Sequence, residues 1–151
     1  MGGCNFDKRE VSQMNVQVNT TSGFVARMKD LPRPKFAHSA CLVGQEIVIT
    51  GGISDLMHNT GMRSIPVGDP DCFAFNFVER RWRNLPKLPS GKMYPTLIVI
   101  NNRFIFQIGG FEDFNFEIYR LDMRDSDKPW KTLALDLTKP IINPDVYLST
   151  R

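Results

Sequence analysis

The strongest constraint on how this chain can fold is an order of segments that occurs twice. The first copy runs Pro34-Lys35-Phe36-Ala37-His38-Ser39-Ala40-Cys41-Leu42-Val43, turns at Gly44-Gln45, and continues Glu46-Ile47-Val48-Ile49-Thr50 into Gly51-Gly52. The second runs Lys92-Met93-Tyr94-Pro95-Thr96-Leu97-Ile98-Val99-Ile100, turns at Asn101-Asn102, and continues Arg103-Phe104-Ile105-Phe106-Gln107-Ile108 into Gly109-Gly110. An apolar run, a polar turn, a second apolar run and a glycine pair describe a tight hairpin followed by a sharp change of backbone direction. The runs are too short, and too rich in Val, Ile and Phe, to be helices.

A loop and an alternating strand follow each glycine pair. The strand is Asp71-Cys72-Phe73-Ala74-Phe75-Asn76 in one copy and Phe116-Glu117-Ile118-Tyr119-Arg120-Leu121-Asp122 in the other. A polar turn then leads to a tryptophan, as Trp82-Arg83-Asn84-Leu85 and as Trp130-Lys131-Thr132-Leu133. The N-terminus holds a partial third copy. Gly2-Gly3 takes the glycine slot, Met14-Asn15-Val16-Gln17-Val18-Asn19 the alternating strand, and Val25 stands where the later copies have tryptophan. From Gly3 to Gly52 is 49 residues and from Gly52 to Gly110 is 58; from Val25 to Trp82 is 57 and from Trp82 to Trp130 is 48. A period of about 50 residues is that of kelch repeats, longer than WD40 and far longer than leucine-rich repeats.

On these residues, together with the Leu88-Pro89-Ser90-Gly91-Lys92 link into the second hairpin, the chain resembles the kelch-repeat family over residues 1–137. The resemblance implies an all-β fold of four-stranded antiparallel propeller blades. Residues 1–32 would form a partial blade, 33–89 and 90–137 one blade each, and 138–151 a tail. It also implies that Gly51, Gly52, Gly109, Gly110, Trp82 and Trp130 are scaffold residues, with the glycines at blade crossings and the tryptophans filling space between blades. Three departures stand out: Val25 in a tryptophan slot, Pro95 where the first copy has His38, and an acidic third-strand end that is plain only at Asp122. Counted by slot, ten strands are too few for a closed ring of about four to eight blades. The expectation is therefore an incomplete propeller, read as a fragment of a longer chain, a partial ring closed by self-association, or a truncated, decayed gene product of marginal stability, with a fragment or truncated form favoured.

The function implied is that of a scaffold that binds a protein partner through its loops, without catalysis. The candidate contacts are Met57, His58 and Arg63 in the long loop 53–70, Arg80 and Arg81 in the basic run Arg80-Arg81-Trp82-Arg83, and Phe111 and Phe114 in the short loop 111–115. The basic run suits either an acidic partner or a solvated rim, and the two phenylalanines either an exposed contact or packing between blades. The rival reading is a fragment of a kelch-type oxidase or sugar isomerase. Such an enzyme needs ligands or acid–base pairs gathered about the axis, and His38 and His58 are the only histidines. Asp69-Pro70-Asp71 reads as turn chemistry rather than a carboxylate pair.

Composition narrows the partners. A net charge of +3, from 19 basic and 16 acidic residues, is too slight to argue for nucleic acid without a basic stripe. Cys4, Cys41 and Cys72 are odd in number and widely spaced, which argues against a disulfide framework or a zinc site. No cofactor or metal is expected. Reduced thiols, with no apolar run long enough to span a membrane, favour a cytoplasmic protein. Met1-Gly2-Gly3-Cys4 resembles a lipidation signal only superficially, since Phe6 stands where such a signal has Ser or Thr.

Overall fold

The structure, a computed structural model, describes residues 1–8, 10–54, 67–111 and 117–133. The fold is all-β, with four antiparallel sheets, none of them closed. The larger two have four strands each. Strands β5 (Phe36–Val43), β6 (Glu46–Ile53), β7 (Cys72–Asn76) and β8 (Arg81–Leu85) lie side by side in chain order. So do β9 (Thr96–Ile100), β10 (Phe104–Ile108), β11 (Ile118–Asp122) and β12 (Lys131–Leu133). The smaller two are hairpins: β1 (Cys4–Asn5) with β2 (Glu10–Val11), and β3 (Val16–Val18) with β4 (Val25–Arg27). A 3-10 turn, Met123–Asp125, is capped by the Asp122 side chain, which accepts from the Arg124 amide. Among the described residues no helix is long and apolar enough to cross a membrane.

Local chemistry sets the strand register. Val43 faces Glu46 across Gly44 and Gln45, with Gly44 at φ 57°. The corresponding turn between β9 and β10 puts both Asn101 and Asn102 at positive φ, and the Arg103 amide closes it on Ile100 at 3.1 Å. Asparagine is among the few residues with a side chain that adopt this conformation readily. The β7–β8 and β3–β4 turns are built alike. In one, Asn76 Oδ1 accepts from the amides of Val78 and Glu79; in the other, Asn19 Oδ1 accepts from those of Thr21 and Ser22.

The main core lies between the two four-stranded sheets. Val43, Val48, Cys72, Ala74, Leu85 and Leu88 pack in one buried cluster with Ile105, Tyr119, Leu121 and Trp130. Beside it, Thr50 Oγ1 donates to Gln107 Oε1 at 2.6 Å, both residues buried. A second cluster of Phe36, Ile53 and Met93, flanked by Cys4, Val11 and Ala37, closes one end.

The β1–β2 hairpin has no counterpart in the sequence expectation and brings the described strands to twelve rather than ten. Its two-residue strands are too short to show an apolar pattern. Backbone bonds fix it instead: Gly3 donates to Lys35 and Ser12 donates to Gly3.

Candidate interaction surface

Successive units meet through the same contacts each time. The Gly3 amide donates to the Lys35 carbonyl at 3.0 Å, and the Gly52 amide to the Lys92 carbonyl at 2.8 Å. Gly52 has φ +90°, and a Cβ there would lie 2.6 Å from the Phe36 carbonyl oxygen, so only glycine fits. Tryptophan supplies the other joint. Trp82 Nε1 donates to the Lys29 carbonyl at 3.0 Å, and Trp130 Nε1 to the Pro86 carbonyl at 2.9 Å. Lys29 and Pro86 hold the same place in the two links, each two residues before a buried leucine, Leu31 or Leu88.

The glycine-pair end of the sheets is where the chain departs from regular strand geometry. Ala37 and Tyr94, at the starts of equivalent segments, have φ 54° and 51°, and the Tyr94 amide donates to the Ala37 carbonyl at 2.8 Å. A bulky residue at positive φ is uncommon, and such strain collects at functional sites. The side chains there are exposed aromatics: Phe6 at 68%, Tyr94 at 67% and Phe111 at 63% of their full accessibility. Phe6 meets Phe36 edge to face at 6.0 Å. Phe111 is held by backbone bonds in both directions with Met93, at 2.7 and 3.0 Å.

Beneath this end lies a buried ion pair. Lys35 Nζ is 3.0 Å from Asp69 Oδ2 and donates to the Gly51 carbonyl at 2.9 Å, with both side chains almost wholly out of solvent. Asp69 also accepts from Ser54 Oγ and, at 2.8 Å, from the Asp71 amide. The last bond is the aspartate turn expected of Asp69-Pro70-Asp71. Asp71 is in turn paired with Arg33 and Lys87. Burial pulls the Lys35 ammonium below its ordinary range despite the nearby Asp69. Burial also raises the Cys72 thiol to about 12 and that of Cys41 to about 11, so neither is a nucleophile at neutral pH.

Arg80, in the turn between β7 and β8, and Arg81, which opens β8, sit at the opposite end, separated from the aromatic group by the length of β6, roughly 23 Å. Arg81 pairs with Glu79 at 2.5 Å, and Arg83 grips Glu46 through two bonds while also donating to Ser126. Glu46, Glu79, Arg81 and Arg83 line a cleft of about 370 Å³ with Trp82 and Asn76. Arg80 borders a more apolar groove of about 430 Å³ between β3–β4 and the first four-stranded sheet, over Ile47, Phe75 and Phe77. Carboxylates of the same chain thus pair with Arg81 and Arg83 of the basic run.

The structure therefore separates Phe111 from Arg80 and Arg81. Met57, His58, Arg63 and Phe114 lie outside the described residues. Trp130 is buried in the main core, whereas Trp82 is partly exposed, its ring centroid 4.9 Å from that of Phe75. Gly109 and Gly110, like Gly51 and Gly52, have positive φ. Phe6, Tyr94 and the buried Lys35 were not among the residues singled out as contacts. Positive φ at Tyr94 could not be read from its neighbours. Among the described residues no three His, Cys, Asp or Glu side chains gather in a group that could hold a metal. No known family's model matches the chain, and no curated protein matches it.

Proposed function

We propose that this chain is a protein-interaction scaffold built from kelch-type units, its two four-stranded sheets acting as blades of an incomplete propeller. The recurring glycine-to-carbonyl and indole-to-carbonyl joints support the repeat reading. They bind each unit to the one before it through equivalent positions. The partner is a protein, and it docks on the glycine-pair end. The observation that carries this reading is the set of three exposed aromatic side chains, Phe6, Tyr94 and Phe111, on a rigidly hydrogen-bonded base. Aromatic rings offer large contact area at small entropic cost and are common energetic anchors of interfaces.

The test is a selection of random displayed peptides on the immobilised chain, followed by mapping of the bound peptides by amide chemical shifts. Perturbations centred on Phe6, Tyr94 and Phe111, with binding lost in Tyr94→Ser, are expected. Peptides that bind at the Arg80–Arg81 turn, or that bind Tyr94→Ser unchanged, overturn the placement.

A further inference from the structure

The contacts between the two four-stranded sheets define two complementary faces. The first sheet offers Val48, Ala74, Cys72 and Leu85; the second answers with Ile105, Leu121 and Trp130, supported by Leu97 and Val99. Strand register shows what lies on the second sheet's other side. Ile98 and Phe106 are paired neighbours there, as are Cys41, Val48 and Ala74 on the first sheet. Ile118 and Leu133 repeat the pairing of Cys72 with Leu85. The outer face of β9–β12 thus carries Ile98, Phe106, Ile118 and Leu133 where its neighbour carries Cys41, Val48, Cys72 and Leu85, with Arg120 and Lys131 in the places of Ala74 and Arg83. Yet Ile98 is 45% and Ile100 42% exposed.

Its glycine joint is open as well. Gly51 and Gly109 have nearly equal φ, +67° and +63°. A Cβ on Gly51 would press into the Lys92 carbonyl of the following unit, whereas among the described residues one on Gly109 meets no atom within 4 Å.

The first unit has the opposite vacancy. Phe75 and Trp82 are paired across β7 and β8 on the face that meets the preceding unit. The equivalent pair, Val18 and Val25 across β3 and β4, is 53% and 56% exposed. One chain therefore carries a free socket and a free plug of the kind already joined within it.

We propose that the outer face of β9–β12 docks the β3–β4 face of a second copy of this chain, head to tail. The contact is heterologous: the two copies use different surfaces, so the association either closes into a ring or extends. It rests on the unit-to-unit contacts alone and stands whether or not the aromatic end binds a partner.

The test uses the full chain in sedimentation equilibrium. Wild-type mass should rise with concentration. Val18→Lys, which spoils the plug, and Ile98→Lys, which spoils the socket, should each weaken self-association at least about tenfold. An equimolar mixture of the two variants should recover a 1:1 heterodimer, because the Ile98→Lys chain keeps its plug and the Val18→Lys chain its socket. Both sites are exposed, and matching thermal melts will show that the variants are folded; Ile100→Lys replaces Ile98→Lys if they differ. A wild-type monomer at every concentration overturns the proposal. So does a Val18→Lys chain that associates as wild type does, which would mean socket-to-socket pairing.

Discussion

Trp130 donates its indole hydrogen to the carbonyl of Pro86 at 2.9 Å while its ring is buried among residues of both four-stranded sheets. Trp82 makes the equivalent bond to Lys29 at 3.0 Å but keeps part of its ring in solvent. Trp130→Ala should therefore cost about 3–5 kcal/mol, the range for emptying a packed aromatic site. Trp82→Ala should cost roughly 1–2 kcal/mol, in line with its smaller buried area. Urea denaturation of both variants checks the order; equal losses would refute it.

Gly51 and Gly109 occupy the same motif position at almost the same φ. Alanine at either pays left-handed strain of about 1 kcal/mol. Only at Gly51 must the new methyl also displace the Lys92 carbonyl. Gly51→Ala is thus expected to lose more than about 3 kcal/mol and Gly109→Ala only about 1 kcal/mol, measured at concentrations where the chain is monomeric.

Arg80 closes the β7–β8 turn with φ 54°, and Gly23 closes the equivalent β3–β4 turn with φ 70°. Arg80→Gly should raise stability by a few tenths to about 1 kcal/mol, the relief of left-handed strain less the added freedom of the unfolded chain. Arg80→Val should lower it by at least about 1 kcal/mol. Paired thermal melts decide the matter, and a destabilised glycine variant would contradict the turn geometry.

His38 gives the fold an acid sensitivity. Burial first, then the positive charges of Lys35 and the N-terminal amine, depress its pKa from 6.5 to about 4, and its buried Nδ1 has no hydrogen-bond partner. The folded state therefore keeps the ring neutral where the unfolded chain would protonate it. The resulting stability is complete above about pH 6.5 and is lost as pH falls towards 4. Discounted for the ring's partial exposure, the loss is on the order of 2 kcal/mol. Urea midpoints at pH 7 and pH 4.5 should differ less in His38→Gln than in wild type; an unchanged difference would remove His38 as the cause.

The features legible in the sequence were those carried by one strand and its turn. The alternating run through Cys72, Ala74 and Asn76 and the polar turns at Gly44 and Asn101 each state their geometry within a few residues, and the strands formed there. What escaped was decided between distant segments. Lys35 reads as an ordinary surface lysine until Asp69 and the Gly51 carbonyl close around it. Phe111 and Trp130 are both aromatic residues at repeat positions, yet one is exposed and the other buried. That difference depends on whether a neighbouring unit covers the site, and no local pattern encodes it. For the same reason Gly51 and Gly109 look alike on paper and differ in space.

The sheet β5–β8 is covered on one side by β9–β12 and approached on the other by the β3–β4 hairpin, whereas each of those neighbours keeps a free face. In a stack whose units touch only their neighbours, opening free energies are graded by position. Amide protons of Val48, Ile49 and Ala74 should consequently be the last to leave for deuterated solvent, and those of Gln17 and Ala26 among the first. The molecule would then melt inward from its two ends, and the interval between the first and last of those exchange times would report how tightly each neighbour grips the middle.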